Sequence, residues 1–196
     1  KIDNNIIDDC DVNSATGTGR SIGIRTALPS FGVTINGNTI RDVGNASCSA
    51  QHAGILCKGT SSFSTNIVDI SHNTIDGLET VTSGNKTGGI VVQECGNSMN
   101  ICNNRMELED SSVYGIFLEQ DVAGNSALSN VIVTGHIITP SPVNYTSQSC
   151  LTGIDIDVPT NGTSKFGRFV VSNNIVNNGD TGLALRGGTT DSRGWS

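Results

Sequence analysis

Aromatic residues make up only 4% of the chain and charged residues 15%. A glycan-binding module normally stacks sugars on aromatic rings, so the first scarcity weakens that reading. Lys and Arg total 11 against 18 Asp and Glu, a net charge of -7. No basic face is on offer, which argues against a nucleic-acid partner, because phosphate contacts need one. No apolar run approaches the ~20 residues of a transmembrane helix, so no membrane span is expected. There is no CxxC pair among Cys10, Cys48, Cys57, Cys95, Cys102 and Cys150. Zinc and thioredoxin-type chemistry therefore have little support.

What fills the chain is Gly, 24 residues of it, together with Ser, Thr and Asn. That balance suits strands and turns, without the high net charge of a disordered chain. The composition is uniform across residues 1–196, which suits a single domain. An even cysteine count permits disulfides. Asn-X-Ser/Thr sequons at Asn45, Asn85, Asn144 and Asn161 permit a glycoprotein.

An Asn-centred frame recurs along the whole chain: IDNNII, INGNTI, ISHNTI, ICNNRM, VTGHII and VSNNIV. Its fixed column is Asn5, Asn38, Asn73, Asn104, His136 and Asn174, with apolar residues three before and two after each. Between these frames lies Gly-apolar-x-apolar, as GILC, GIVV, GIFL, GIDI and GLAL, with SIGI at Ser21 as a variant. The two motifs alternate strictly, and successive Asn positions are 31 to 38 residues apart. One unit is thus two or three short strands with turns and a variable loop. Such strands cannot bury their apolar face alone, but stacked units build a continuous core. Parallel stacking places equivalent residues about 4.8 Å apart. An Asn at each corner then exchanges amide hydrogen bonds with the next unit while serving turn backbone.

This pattern resembles the right-handed parallel β-helix repeat of pectate lyases, polygalacturonases, mannuronan epimerases and phage tailspikes. The resemblance implies an all-β, single-stranded parallel solenoid of about six coils with variable loops. It says little of function, because that fold carries enzymes, adhesins and purely structural proteins. The insertions hold Pro140, Pro142, Pro159, most sequons, Cys10, Cys48 and Cys150. Loops on one side of a solenoid commonly make its binding surface. Lys1 opens inside an Asn frame and Ser196 follows closely on a Gly strand. The expectation is a section of a longer solenoid or a self-stacking module, as a homo-oligomer or filament.

Alternation in the Gly strands gives a first outward column of Gly23, Leu56, Val91, Phe117, Asp155 and Ala184. A second reads Arg25, Lys58, Gln93, Glu119, Asp157 and Arg186. Leu56, Val91 and Phe117 form an outward apolar stripe, expected to be covered by an interface or a loop. Glu119, Asp155 and Asp157 are the candidate catalytic set. Close carboxylates push one pKa up, so that one acts as acid while another stays ionised, as glycoside hydrolysis requires. The trio is similar to the carboxylates on adjacent coils of tailspike endoglycosidases. A solvated ladder eased by Arg186, or a weak Ca²⁺ site, would use the same residues; no other cofactor is implied. Pectinase motifs are incomplete: LTGIDID is similar to a polygalacturonase segment, but Thr152 stands where its first catalytic Asp belongs.

Cys57 is expected in the core beside Ile24 and Val92, and Cys102 outward, with Cys95 as a candidate partner. His52 and His72 read as loop or turn residues. The favoured function is a structural segment of a spike, adhesin or filament, extracellular or on a cell or virion surface, in a polysaccharide-rich setting. An endo-acting glycoside hydrolase or lyase is the alternative, and a non-catalytic glycan-binding module a third.

Overall fold

A computed structural model describes residues 1–10, 20–27, 32–44, 51–59, 67–78, 87–94, 98–108, 114–119, 130–140, 152–158, 168–177 and 179–187. The four sequon asparagines, Cys48, Cys95, Cys150, Pro142 and Pro159 lie outside these residues. Every regular element among them is a strand, and no helix there is long and apolar enough to cross a membrane. The strands stack into three parallel six-stranded sheets, and each repeat supplies one strand to each.

Sheet A holds β1 (Ile2–Asp3), β4 (Val33–Asn36), β7 (Ile67–Ser71), β10 (Ser98–Cys102), β13 (Val131–Thr134) and β16 (Phe169–Ser172). Sheet B holds β2 (Ile6–Ile7), β5 (Thr39–Val43), β8 (Thr74–Leu78), β11 (Arg105–Leu108), β14 (Ile137–Pro140) and β17 (Ile175–Val176). Sheet C holds β3 (Ile22–Ala27), β6 (Ala53–Lys58), β9 (Gly88–Gln93), β12 (Tyr114–Glu119), β15 (Thr152–Val158) and β18 (Thr181–Gly187). The Asn frame is thus the A-to-B corner, and the Gly motif is sheet C.

Strict register turns each repeat position into a ladder. In sheet A, Ile2, Ile35, Ile70, Ile101, Val133 and Val171 stack in one inward row. In sheet B, Ile7, Ile40, Ile75, Met106, Ile138 and Val176 do the same. Together with Ile55, Ile90, Ile116 and Ile154 of sheet C they form one continuous core. Each fully buried aliphatic side chain there contributes roughly 1.5–3 kcal/mol relative to exposure. A parallel β-solenoid follows from this arrangement, with the core running along its axis.

The first repeat departs from the expected alignment. The SIGI variant suggested that Gly23 sits level with Leu56, but Arg25 pairs with Leu56, Ile24 with Ile55 and Ala27 with Lys58. The true motif there is therefore Gly23-Ile24-Arg25-Thr26, two residues later. Thr26, not Ile24, stands level with Cys57. Arg25 moves to the first outward column and leaves the second.

The corrected alignment places a glycine at one level in all six repeats: Gly23, Gly54, Gly89, Gly115, Gly153 and Gly182. A Cβ on Gly54 would lie 2.8 Å from the Gly89 carbonyl oxygen and 2.7 Å from Ile75 Cγ2. On Gly115 it would lie 2.5 Å from the Gly153 oxygen and 2.7 Å from Ile138. Sheets B and C approach so closely here that the inward residue of the Asn frame fills the space of the missing side chain. The two sequence motifs are thus opposite sides of one contact.

Candidate functional site

The corner carries a buried hydrogen-bond network that repeats from coil to coil. Asn38, Asn73, Asn104 and His136 are all buried, at 0–2% exposure. Each Asn oxygen serves the repeat before it: Asn73 Oδ1 accepts from Asn38 N–H and Asn38 Nδ2, both at 2.9 Å. Asn104 Oδ1 accepts from the same two groups of Asn73, again at 2.9 Å. Each Nδ2 also reaches a carbonyl of the preceding repeat's sheet A strand: Asn38 to Ile2, Asn73 to Ile35, Asn104 to Ile70 and Asn174 to Val133. Asn5 closes on Asn38 Oδ1 through its N–H and Nδ2.

A bend interrupts the backbone ladder, and the amide repairs it. At the ladder position the N–H faces the next repeat, where the side-chain oxygen takes the role of a carbonyl. One residue later the backbone bonding resumes: Thr74 N–H donates to Asn38 O, and Arg105 N–H to Asn73 O. An unpaired buried donor at each level would otherwise cost about 1–3 kcal/mol.

The doubled Asn has a second explanation that the sequence reading missed. The residue before each ladder position has positive φ in all six repeats: Asn4 (53°), Gly37 (68°), His72 (56°), Asn103 (53°), Gly135 (73°) and Asn173 (54°). Glycine adopts this left-handed conformation freely, and Asn tolerates it better than most other residues. In an Asn-Asn pair the first residue therefore makes the bend and the second makes the ladder. The signal was present, since this column holds only Asn, Gly and one His.

The candidate carboxylates lie on the outer face of sheet C. Glu119 stands level with Asp157, and Asp157 with Arg186; Asp155 stands level with Phe117 and Ala184. Glu119 is buried and accepts a 2.7 Å hydrogen bond from Gln93 Nε2. Asp155 is fully buried and its Oδ2 lies 2.7 Å from Arg186 Nη2, whose side chain is half exposed. Arg186 was expected to ease the carboxylate ladder beside Asp157, its register neighbour; the ion pair it makes is the diagonal one to Asp155. The structure thus puts Glu119 and Asp157 on adjacent strands and seals Asp155 under an arginine. Among the described residues no three His, Cys, Asp or Glu side chains converge as a metal site, so the trio makes no cation cage there.

The outward stripe is covered within the chain itself. Leu56, Val91 and Phe117 are at most 1% exposed and form a second apolar cluster with Ala53, Ile22 and Tyr114. The Tyr114 and Phe117 rings pack 4.7 Å apart at 41°. Burial without a partner subunit removes the reason for reading these three as an interface.

Cys10, Cys57 and Cys102 are thiols outside any disulfide, and no disulfide is found among the described residues. Burial pushes the Cys57 thiol up to about 11, against a weaker downward pull from Thr26. Cys102 is half-buried, not exposed, and burial followed by the Asp69 charge raises its pKa. Burial, then Asp9 and Asp8, raises that of Cys10. Thiols held protonated are poor nucleophiles, so none is a catalytic candidate. His72 is an exposed turn residue as expected. His52 also lies outside any strand, immediately before β6, and is fully buried, its N–H donating to Thr87 Oγ1 at 3.3 Å.

No family model, curated protein or solved structure matches the chain.

Proposed function

We propose that this chain is a structural segment of a β-solenoid spike, adhesin or filament, acting outside the cell or on a virion surface. The observation that carries this reading is where the polar groups are employed. The ladder Asn side chains hold one repeat to the next, Asp155 is sealed by Arg186, and Glu119 is held by Gln93. A catalytic acid needs access to its substrate, and a fully buried carboxylate lacks it. Low charge and abundant Ser, Thr and Asn fit an exposed, polysaccharide-rich environment, and the repeat pattern resembles that of tailspike solenoids. Parallel strands stacked in register also suit assembly with further copies into an oligomer or filament.

Electron microscopy of the purified protein tests this directly: elongated particles or fibres are expected, and discrete compact monomers would overturn it. The glycosidase reading rests on one observation, the level pairing of Glu119 with half-buried Asp157 beside Phe117. It predicts oligosaccharide release from surface polysaccharides that is lost in Asp157→Asn. We expect equal, negligible release from both proteins.

A further inference from the structure

We propose that His136 is an acid-sensitive joint in the corner ladder, where uptake of one proton loosens the fifth repeat from the fourth. The ring copies both jobs of the Asn it replaces. Its Nδ1 lies 3.2 Å from Asn104 N, in the acceptor position that Oδ1 occupies elsewhere. Its Nε2 lies 3.0 Å from the Ile101 carbonyl, matching the Nδ2 contacts of Asn73 to Ile35 and Asn104 to Ile70. These partners assign the tautomer. The Ile101 carbonyl only accepts, so Nε2 carries the hydrogen; the Asn104 N–H only donates, so Nδ1 carries the lone pair. Neutral imidazole satisfies both, and imidazolium does not.

A proton from solvent added to Nδ1 would point at the Asn104 N–H and cancel its acceptor. Asn104 is 2% exposed and His136 is fully buried, so bulk solvent does not reach the amide to replace it. An amide ladder has no such weakness, because Asn does not titrate. The five Asn levels are therefore insensitive to acid while the His136 level is not.

Among the described residues of the strands paired with it, no charge offsets this. The described strands paired with β13 and β14 are β10, β11, β16 and β17. Their titratable side chains are Cys102 on β10 and Arg105 and Glu107 on β11. Cys102 is on the outer face, and Arg105 and Glu107 face each other there at 3.7 Å. β13, β14, β16 and β17 carry none. Burial is the largest influence on the ring and lowers its pKa below 6.5, opposed by the bond to the Ile101 carbonyl. The sign follows from proton linkage. The unfolded ring titrates near 6.5 and the folded ring below it, so the unfolded state binds more protons in between. Stability is whole above pH 6.5 and falls as pH drops towards the folded value.

The test compares denaturant unfolding of the full chain and of His136→Asn between pH 8 and pH 4.5. The parent's folding equilibrium should fall, relative to the variant's, by up to about tenfold per pH unit below about pH 6.5. Every other group of the chain is common to both proteins, so its contribution cancels. Parallel pH profiles would overturn the proposal. Should the variant fail to fold, amide exchange in the parent decides. Protection at Asn104, corrected for intrinsic exchange, should drop on acidification while that at Asn38 and Asn73 holds; a uniform response of all three would sink the idea.

Discussion

The A-to-B corner and the outer face of sheet C both bury polar side chains, but by different means. At the corner, the partner of each buried amide is the residue at the same position one repeat away. Asn38, Asn73 and Asn104 therefore repeat one set of distances. On sheet C each buried polar group finds a different partner: Gln93 for Glu119, and Arg186 for Asp155. A self-partnered column admits only side chains that accept from one repeat and donate to another, Asn or the His136 ring, whereas a cross-partnered column is free to vary. The corner is therefore a scaffold written once and copied. The outer face of sheet C is built level by level, with an apolar patch in the middle repeats and charges in the later ones.

This contrast is open to direct attack, beginning with the face of sheet C. Phe117→Asp places a charge in a fully buried apolar cluster and leaves a void. The loss of unfolding free energy should exceed about 4 kcal/mol, measured by denaturant titration. A loss below about 1 kcal/mol would mean the stripe is not sealed, and the face would become a surface like any other.

At the corner, Asn73→Leu removes the acceptor of two Asn38 donors and the donor to Ile35, Ser71 and Asn104. We expect a loss of about 3–4 kcal/mol. An unchanged unfolding midpoint would show that the ladder decorates the fold without supporting it.

The contact joining the two regions is tested by a matched pair. Gly115→Ala drives a Cβ into the Gly153 carbonyl and Ile138, and should cost about 3 kcal/mol. Gly182→Ala meets nothing within 4 Å and should change stability by less than about 1 kcal/mol, towards greater stability. Equal effects in thermal or denaturant unfolding would refute close approach as the reason for the glycine column.

The smallest effect sharpens the corner. His72 occupies the left-handed position that other repeats give to Asn or Gly. His72→Asn should stabilise by roughly 0.5 kcal/mol and His72→Val should destabilise by about 1–2 kcal/mol. The reverse order in unfolding experiments would show that the turn selects for something other than backbone conformation.

Much of this architecture was readable in advance, for a definite reason. A repeat that stacks on itself writes its contacts as recurring residues, so the apolar rows and the column from Asn5 to Asn174 are visible without coordinates. The first-repeat alignment was misread because SIGI looks like the motif, whereas the true copy begins at Gly23 and ends on the polar Thr26. Only the neighbouring strand could set that register. The left-handed column was overlooked because Asn was assigned one role, when the pair divides two between its members.

The sequence by itself determined the parallel stacked architecture, the corner ladder and the inward rows, because those interactions join like to like at a fixed interval. Tertiary structure alone decided which outward residues are buried and which carboxylate meets which partner. Leu56, Val91 and Phe117 turned out sealed within the chain, and Arg186 reached diagonally to Asp155 instead of its neighbour Asp157. Alternation dictates only which side of a strand a side chain leaves from. What covers that side, and which long side chain reaches which charge, depends on unlike residues that carry no periodic mark.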